Sequence, residues 1–197
     1  MLDNILREMG GLGQRIDSSQ LRTFQHMPNQ DDRGEFTRIF DTTYLTDLLN
    51  RKVEFTQISM SFNTSKGTRR GLHVRRLPEV EYKFVRAIKG SFIDVILDCR
   101  PDSKSFGSWA MFELNARDGT GIVVPGGFAH GIQTLENDTT IVYGMEIEFS
   151  AQADIAINSN DSDLGIRWRR DAVSISEKDK NAMSWQSYKE SVFFSEV

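Results

Sequence analysis

The sequence predicts an all-β sandwich or barrel, and three observations carry that prediction. From Val53 onward, short runs rich in β-branched and aromatic residues follow one another. Turn-forming residues punctuate them at Lys89-Gly90, Arg100-Pro101-Asp102, Arg117-Asp118-Gly119, Pro125-Gly126-Gly127 and Glu136-Asn137-Asp138. Little helical patterning lies between the runs, which disfavours a parallel sheet with crossover helices.

Taken in order, residues 1–20 read as an N-terminal extension without recognisable chemistry, followed by a single domain over 21–197. Residues 3–9 have the pattern of a short helix that Gly10, Gly11 and Gly13 break. Asp31-Asp32-Arg33-Gly34 reads as a turn before a short strand over 36–40. Thr42 or Thr43 is placed to cap a brief helix through Leu49, with Leu45, Leu48 and Leu49 as its buried stripe. Strands are then expected over 53–62, 82–88, 91–97, 109–114, 121–124, 131–135 and 139–149. Helical patterning returns only at 176–182.

Composition narrows the function. With 197 residues, 39% of them hydrophobic and 26% charged, the chain suits one domain with a substantial core. A net charge of −4 argues against general nucleic-acid binding, which needs a basic surface. Cys99 is the only cysteine, so neither an intrachain disulfide nor a thiolate metal cluster can form. The first ten residues lack the apolar core of a signal peptide, and no run approaches the ~20 apolar residues that span a bilayer. The expectation is a cytoplasmic protein with no membrane partner.

Against that acidic background, Lys66-Gly-Thr-Arg-Arg-Gly-Leu-His-Val-Arg-Arg76 sets His73 among five basic side chains and no acids. Such a local cluster points to a specific anion. Arginine grips phosphate through a planar fork, and a neighbouring histidine can move protons near neutral pH. A solvated strand with an incidental histidine explains the same residues equally well.

Strand alternation supplies further candidates. Over 82–88, Lys83 shares a face with Val85 and Ala87, opposite Tyr82, Phe84 and Arg86. An inward lysine needs a partner or a ligand, because burying a bare ammonium is costly; a register error of one residue would instead put it in solvent. Over 139–149, Ile141, Tyr143, Met145, Ile147 and Phe149 form one apolar face, which directs Tyr143 inward as a core residue whose hydroxyl needs a partner. Pro125-Gly-Gly-Phe-Ala-His-Gly131 is a glycine-rich turn delivering His130 into a strand, where a structural role is the simpler account. Ser176-Glu-Lys-Asp179 has the form of a capping box, which would explain Asp179 without any chemistry. Three histidines in all, with none beside His73, disfavour a metal-dependent barrel enzyme.

Together these stretches resemble the dTDP-4-dehydrorhamnose 3,5-epimerase family, from about Asp32 to Asp179. Asp32-Arg-Gly-Glu-Phe36 is similar to the family's opening motif and Gly67-Thr-Arg-Arg-Gly-Leu-His73 to its signature. Lys83-Phe-Val-Arg86, Gly90-Ser-Phe-Ile-Asp-Val95, Asp98-Cys-Arg100, Pro125–Gly131, Asp163-Leu-Gly-Ile-Arg-Trp168 and Ser176–Asp179 follow in order. The resemblance implies a cupin-like β jelly roll (a double-stranded β-helix) with a few short peripheral helices. It also implies a homodimer that uses no cofactor and no metal. The implied reaction inverts carbons flanking the C4 ketone of a nucleotide-linked 4-keto-6-deoxy sugar.

Carried over residue by residue, His73 would be the base, Asp179 its dyad partner, Tyr143 the proton donor and Lys83 the stabiliser of the enolate. Arg70 and, from the neighbouring subunit, Arg33 would hold the diphosphate. Phe36, Gln57 and Lys178 fall at substrate-binding positions, and Asp94 and His130 at supporting ones. The chain departs from the pattern at Phe149, where the family often has a second aromatic hydroxyl, and at Gly144, in place of a lysine. Arg38 replaces a carboxylate, Ser59 an asparagine in the segment beginning at Gln57, and Asp161-Ser162 an Asp-Pro pair. CDP- and GDP-linked keto sugars therefore stay beside the dTDP sugar as candidate substrates. The rival readings are a jelly roll that binds a sugar nucleotide without turning it over and, more remotely, a metal-dependent cupin enzyme.

Overall fold

Two antiparallel sheets face one another in the computed structural model, which describes residues 6–11, 16, 20–76 and 81–193. The six-stranded sheet runs β1 (Leu6–Gly11), β9 (Ser108–Asn115), β8 (Ser91–Asp98), β11 (Phe128–Thr134), β6 (Arg69–Arg75) and β13 (Asp154–Ala156). The five-stranded sheet runs β2 (Arg22–Gln25), β10 (Thr120–Val124), β7 (Lys83–Lys89), β12 (Thr139–Met145) and β5 (Gln57–Asn63). A separate hairpin pairs β3 (Asn29–Asp31) with β4 (Gly34–Phe36). From β5 to β13 the chain mostly alternates between the two sheets, the winding of a cupin-like jelly roll.

Alternation sorts the apolar residues into three layers. Val85 and Ala87 of β7, Phe92 and Ile96 of β8, Ile122 of β10 and Ile141 of β12 fill the space between the sheets. Ile93 and Val95 point the other way, under Leu164, Trp185 and Tyr188, so the C-terminal part of the chain covers that outer face. Phe84, Val123 and Val142 line the back of the five-stranded sheet with Leu45 of α1 (Thr42–Leu49). The register expected for 82–88 is the one found.

Several boundaries differ from expectation. Of the helix expected over 3–9, residues 3–5 lie outside the described residues and 6–9 belong instead to the edge strand Leu6–Gly11, whose backbone pairs with β9. The strand expected over 36–40 ends at Phe36, and Asp41 caps α1 in place of Thr42 or Thr43, accepting from the Tyr44 amide at 3.0 Å. The strand expected over 139–149 stops at Met145. Its continuation is held by side chains, with the Phe149 amide donating to Gln57 Oε1 at 2.8 Å. β2 and β13 are too short for alternation to show, and α3 (Trp185–Phe193) was not anticipated. Among the described residues no helix is long and apolar enough to cross a membrane.

Candidate active site

Leu72 and Val74 of β6 are buried in the outer layer, so His73 between them turns to the inside of the barrel. Its Nε2 lies 2.7 Å from Asp179 Oδ1. Asp179 arrives in the first turn of α2 (Glu177–Lys180), where the Ser176 hydroxyl accepts from the Asp179 amide at 3.1 Å. Only half of the capping box therefore forms. The Asp179 carboxylate accepts from His73 and, through Oδ2, from the Gly71 amide at 3.2 Å. Burial pushes this carboxyl up. Hydrogen bonds from His73, the imidazole's charge, the Gly71 amide and Ser176 outweigh that and hold it below the ordinary carboxylate range. With an ionised carboxylate as acceptor, Nε2 carries the imidazole hydrogen and Nδ1 keeps the lone pair.

Gly71 makes this possible. Its φ is +92°, and a Cβ there would stand 2.7 Å from the His130 carbonyl oxygen and 2.8 Å from the Gly131 Cα. Only glycine lets β6 approach β11 this closely while presenting its amide to Asp179.

The geometry predicts how Asp179→Asn behaves. The cap uses the backbone amide and survives, whereas the imidazole loses its charged partner. Any proton transfer that relies on His73 should fall roughly 10²–10⁴-fold, far beyond any unfolded fraction. Because the folded-state value is depressed, the carboxylate's stabilising contribution is present at neutral pH. It is lost as pH falls through the ordinary carboxylate value of about 3.9 and below. Thermal melts of both proteins at pH 7 and pH 3 check this: the wild-type advantage should shrink in acid.

Tyr143 faces inward with Ile141, as alternation requires. β6 and β12 belong to opposing sheets, so His73 and Tyr143 enter one cavity of about 320 Å³ from facing walls. Burial raises the Tyr143 phenol to about 12; the Ser61 hydrogen bond counters that, Asp94 adds to it and Arg70 opposes it. The phenol is therefore protonated at neutral pH, the state a proton donor requires.

Arg70, His130 and Lys178 line the same cavity. Arg70 Nε donates to Asn63 Oδ1 at 2.8 Å. His130 lies directly across from His73 in the β6–β11 register, its Nδ1 3.4 Å from Asp94 Oδ1. Asp94 is fully buried, and burial pushes its carboxyl up against the pull of His130. The Lys178 ammonium stands 5.9 Å over the Phe149 ring.

Four expected site residues are not gathered here. Lys83 is on the inner face, but its ammonium pairs with Glu81 Oε2 at 3.1 Å and does not line the cavity. Gln57 is engaged with the Phe149 amide. Arg33, with its side chain 86% exposed, and Phe36, 73% exposed, sit on the β3–β4 hairpin around a separate surface hollow. Ser61, whose hydroxyl meets Tyr143 Oη at 3.1 Å, and Asn63 join the site without a sequence motif to mark them. Their signal is present: in β5, Ser59, Ser61 and Asn63 alternate with Ile58, Met60 and Phe62, and all three apolar residues are exposed while Asn63 is buried and Ser61 partly so. Among the described residues no cluster of three or more His, Cys, Asp or Glu could hold a metal ion.

The dTDP-4-dehydrorhamnose 3,5-epimerase family model matches residues 17–187. The chain belongs to this family. It is 32% identical over 172 residues to the dTDP-4-dehydrorhamnose 3,5-epimerase of Sinorhizobium fredii, covering 87% of this chain and 88% of that one. Among solved structures it is similar to the Bacillus anthracis dTDP-4-dehydrorhamnose 3,5-epimerase crystallised with TDP and PPi. The TM-score there is 0.79 at 30% identity, covering 90% of this chain and 99% of that one. The Legionella pneumophila epimerase in complex with dTDP-4-keto-L-rhamnose gives 0.77 at 28% identity, covering 89% of this chain and 92% of that one. One departure from the epimerase pattern has a packing reason: at Gly144 a Cβ would stand 2.0 Å from the Phe84 ring, so no lysine fits there.

Proposed function

We propose that this epimerase-family protein inverts C3, C5 or both in a nucleotide-diphosphate-linked 4-keto-6-deoxy sugar, dTDP-4-dehydro-6-deoxyglucose being the first candidate. One observation carries the reading: the His73–Asp179 pair and the protonated Tyr143 face each other from opposing sheets across one cavity. Inversion needs a base on one face of the sugar and an acid on the other, since returning a proton to the face it left regenerates the substrate. Carbons beside a ketone are acidic enough that positioned side chains suffice, and no cofactor enters this scheme. His73 takes the proton, Asp179 stabilises the imidazolium, and Tyr143 protonates the enolate from the far side.

The surrounding residues divide the remaining work. Arg70 holds a phosphate, and Lys178, Gln57 and Phe36 contact the nucleotide sugar. His130, oriented by Asp94, supports the sugar's oxygens. Lys83 is assigned to the enolate oxygen, a role that requires its ammonium to leave Glu81 when substrate arrives. The lone, buried Cys99 suits a reducing, cytoplasmic compartment. The deciding experiment incubates dTDP-4-dehydro-6-deoxyglucose with the protein in D₂O and follows C3 and C5 by NMR. Deuterium at either carbon with an inverted product supports the reading; no exchange at either carbon would sink it for this substrate.

The reading includes a homodimer. Arg33 and Phe36 are exposed on their hairpin, and Ile58, Met60 and Phe62 leave an apolar face on the edge strand β5 at 53%, 65% and 53% exposure. A second copy would cover that face and bring the hairpin to its neighbour's cavity. Sedimentation at micromolar concentration should give a dimer, and Phe62→Glu should yield monomer with weakened substrate binding. A fully active monomer refutes the arrangement.

A further inference from the structure

We propose that Asn63 and Ser61 form a positioning relay that runs from Arg70 to Tyr143 and prepares the phenol to give up its proton. The inference rests on the assignment of Tyr143 as proton donor. Every link is a hydrogen bond. Arg70 Nε donates to Asn63 Oδ1 at 2.8 Å, Asn63 Nδ2 donates to Ser61 Oγ at 3.2 Å, and Ser61 Oγ meets Tyr143 Oη at 3.1 Å. Asn63 also donates to the Thr139 carbonyl at 3.1 Å.

The chemistry of the end groups fixes the middle. A guanidinium only donates and a backbone carbonyl only accepts, so the Asn63 amide, 2% exposed, has one orientation that satisfies both. Its NH₂ group is thereby committed to Ser61. Either hydroxyl can donate in the Ser61–Tyr143 pair; the relay takes Ser61 as the donor to Tyr143 Oη, which leaves the phenol's own hydrogen for the cavity. When Tyr143 protonates the enolate carbon, its O–H bond breaks, a C–H bond forms and a phenolate remains. The Ser61 hydrogen bond then becomes charge-assisted and stronger. It is worth more after proton transfer than before, which is the condition for lowering the barrier. The Arg70 charge acts in the same direction on the phenol.

The test uses the full chain with dTDP-4-dehydro-6-deoxyglucose in D₂O and reads inversion and deuterium exchange separately, with thermal melts to confirm folding. Ser61→Ala should lower kcat for inversion about 10–100-fold, the range for losing a hydrogen bond to a charged group. KM should hold within about twofold and exchange from the His73 side should persist. Ser61→Thr, which keeps a hydroxyl, should restore inversion. Asn63→Ala should lower kcat and also raise KM, because it frees Arg70. In a Tyr143→Phe background Ser61→Ala should change nothing further. A wild-type ratio of inversion to exchange in Ser61→Ala, or no rescue in a folded Ser61→Thr, overturns the relay. If Tyr143→Phe loses inversion while Ser61→Ala keeps it, the relay alone fails. If Tyr143→Phe inverts at the wild-type rate, the donor assignment fails and the relay with it.

Discussion

His73→Asn is expected to abolish deuterium exchange and inversion together. No proton leaves the carbon beside the ketone without a base, and general-base groups contribute roughly 10²–10⁴-fold. Asparagine is the informative replacement because it adds neither bulk nor charge, while the buried Asp179 carboxylate keeps the Gly71 amide as a donor at 3.2 Å. The side chain is 32% exposed at the cavity and contributes little to the core, so the melting temperature should hold within a few degrees. That separation matters. Loss of activity in a folded variant assigns His73 to chemistry, whereas loss in proportion to unfolding would make it a strand residue that happens to face inward. NMR of the sugar in D₂O, with binding of dTDP followed calorimetrically, distinguishes the two. Unimpaired exchange in His73→Asn ends the assignment of the base.

How much of this was legible depends on how local each signal is. The alternation in 82–88 gave the right face for Lys83, since Val85 and Ala87 do fill the interior. Its partner Glu81 was two residues away on the same face, the position where a strand's own neighbour can neutralise an inward charge. Gly10 and Gly11, read as helix breakers, are instead where β1 passes close to its neighbour. A Cβ on Gly10 would stand 2.9 Å from the Trp109 ring, and one on Gly11 2.4 Å from the Gly107 carbonyl oxygen. That cause lies a hundred residues away and leaves no local trace. β5 misleads for another reason: Ser59 and Ser61 line a cavity, while Ile58, Met60 and Phe62 are exposed and Met60 also reaches the cavity. The Ser176–Asp179 segment was ambiguous between a cap and a dyad. The structure shows both at once, the amide serving the helix and the carboxylate serving His73. The hairpin bearing Arg33 is the remaining case, since no single chain brings it to the cavity.

Tyr143→Phe is the sharper experiment, because it should split two activities that His73→Asn removes together. His73 can still take a proton and return it to the same face, and that proton exchanges with D₂O while it resides on the imidazole. Deuterium should therefore enter the substrate without inversion, and net inversion should fall roughly 10²–10⁴-fold. The substitution removes one oxygen from a half-buried side chain packed on the core, leaving Ser61 its bond from Asn63, so stability should change by less than about 1 kcal/mol. Raising the pH offers an independent check, with the sign fixed by burial. The donor works only while protonated, and the Tyr143 phenol is raised to about 12. The tyrosine should therefore impose no loss of inversion through pH 9, where an ordinary phenol with a pKa of about 10 would already be titrating. Equal loss of exchange and inversion in Tyr143→Phe would mean that one group serves both faces, and the opposed-sheet geometry would then not be the basis of inversion.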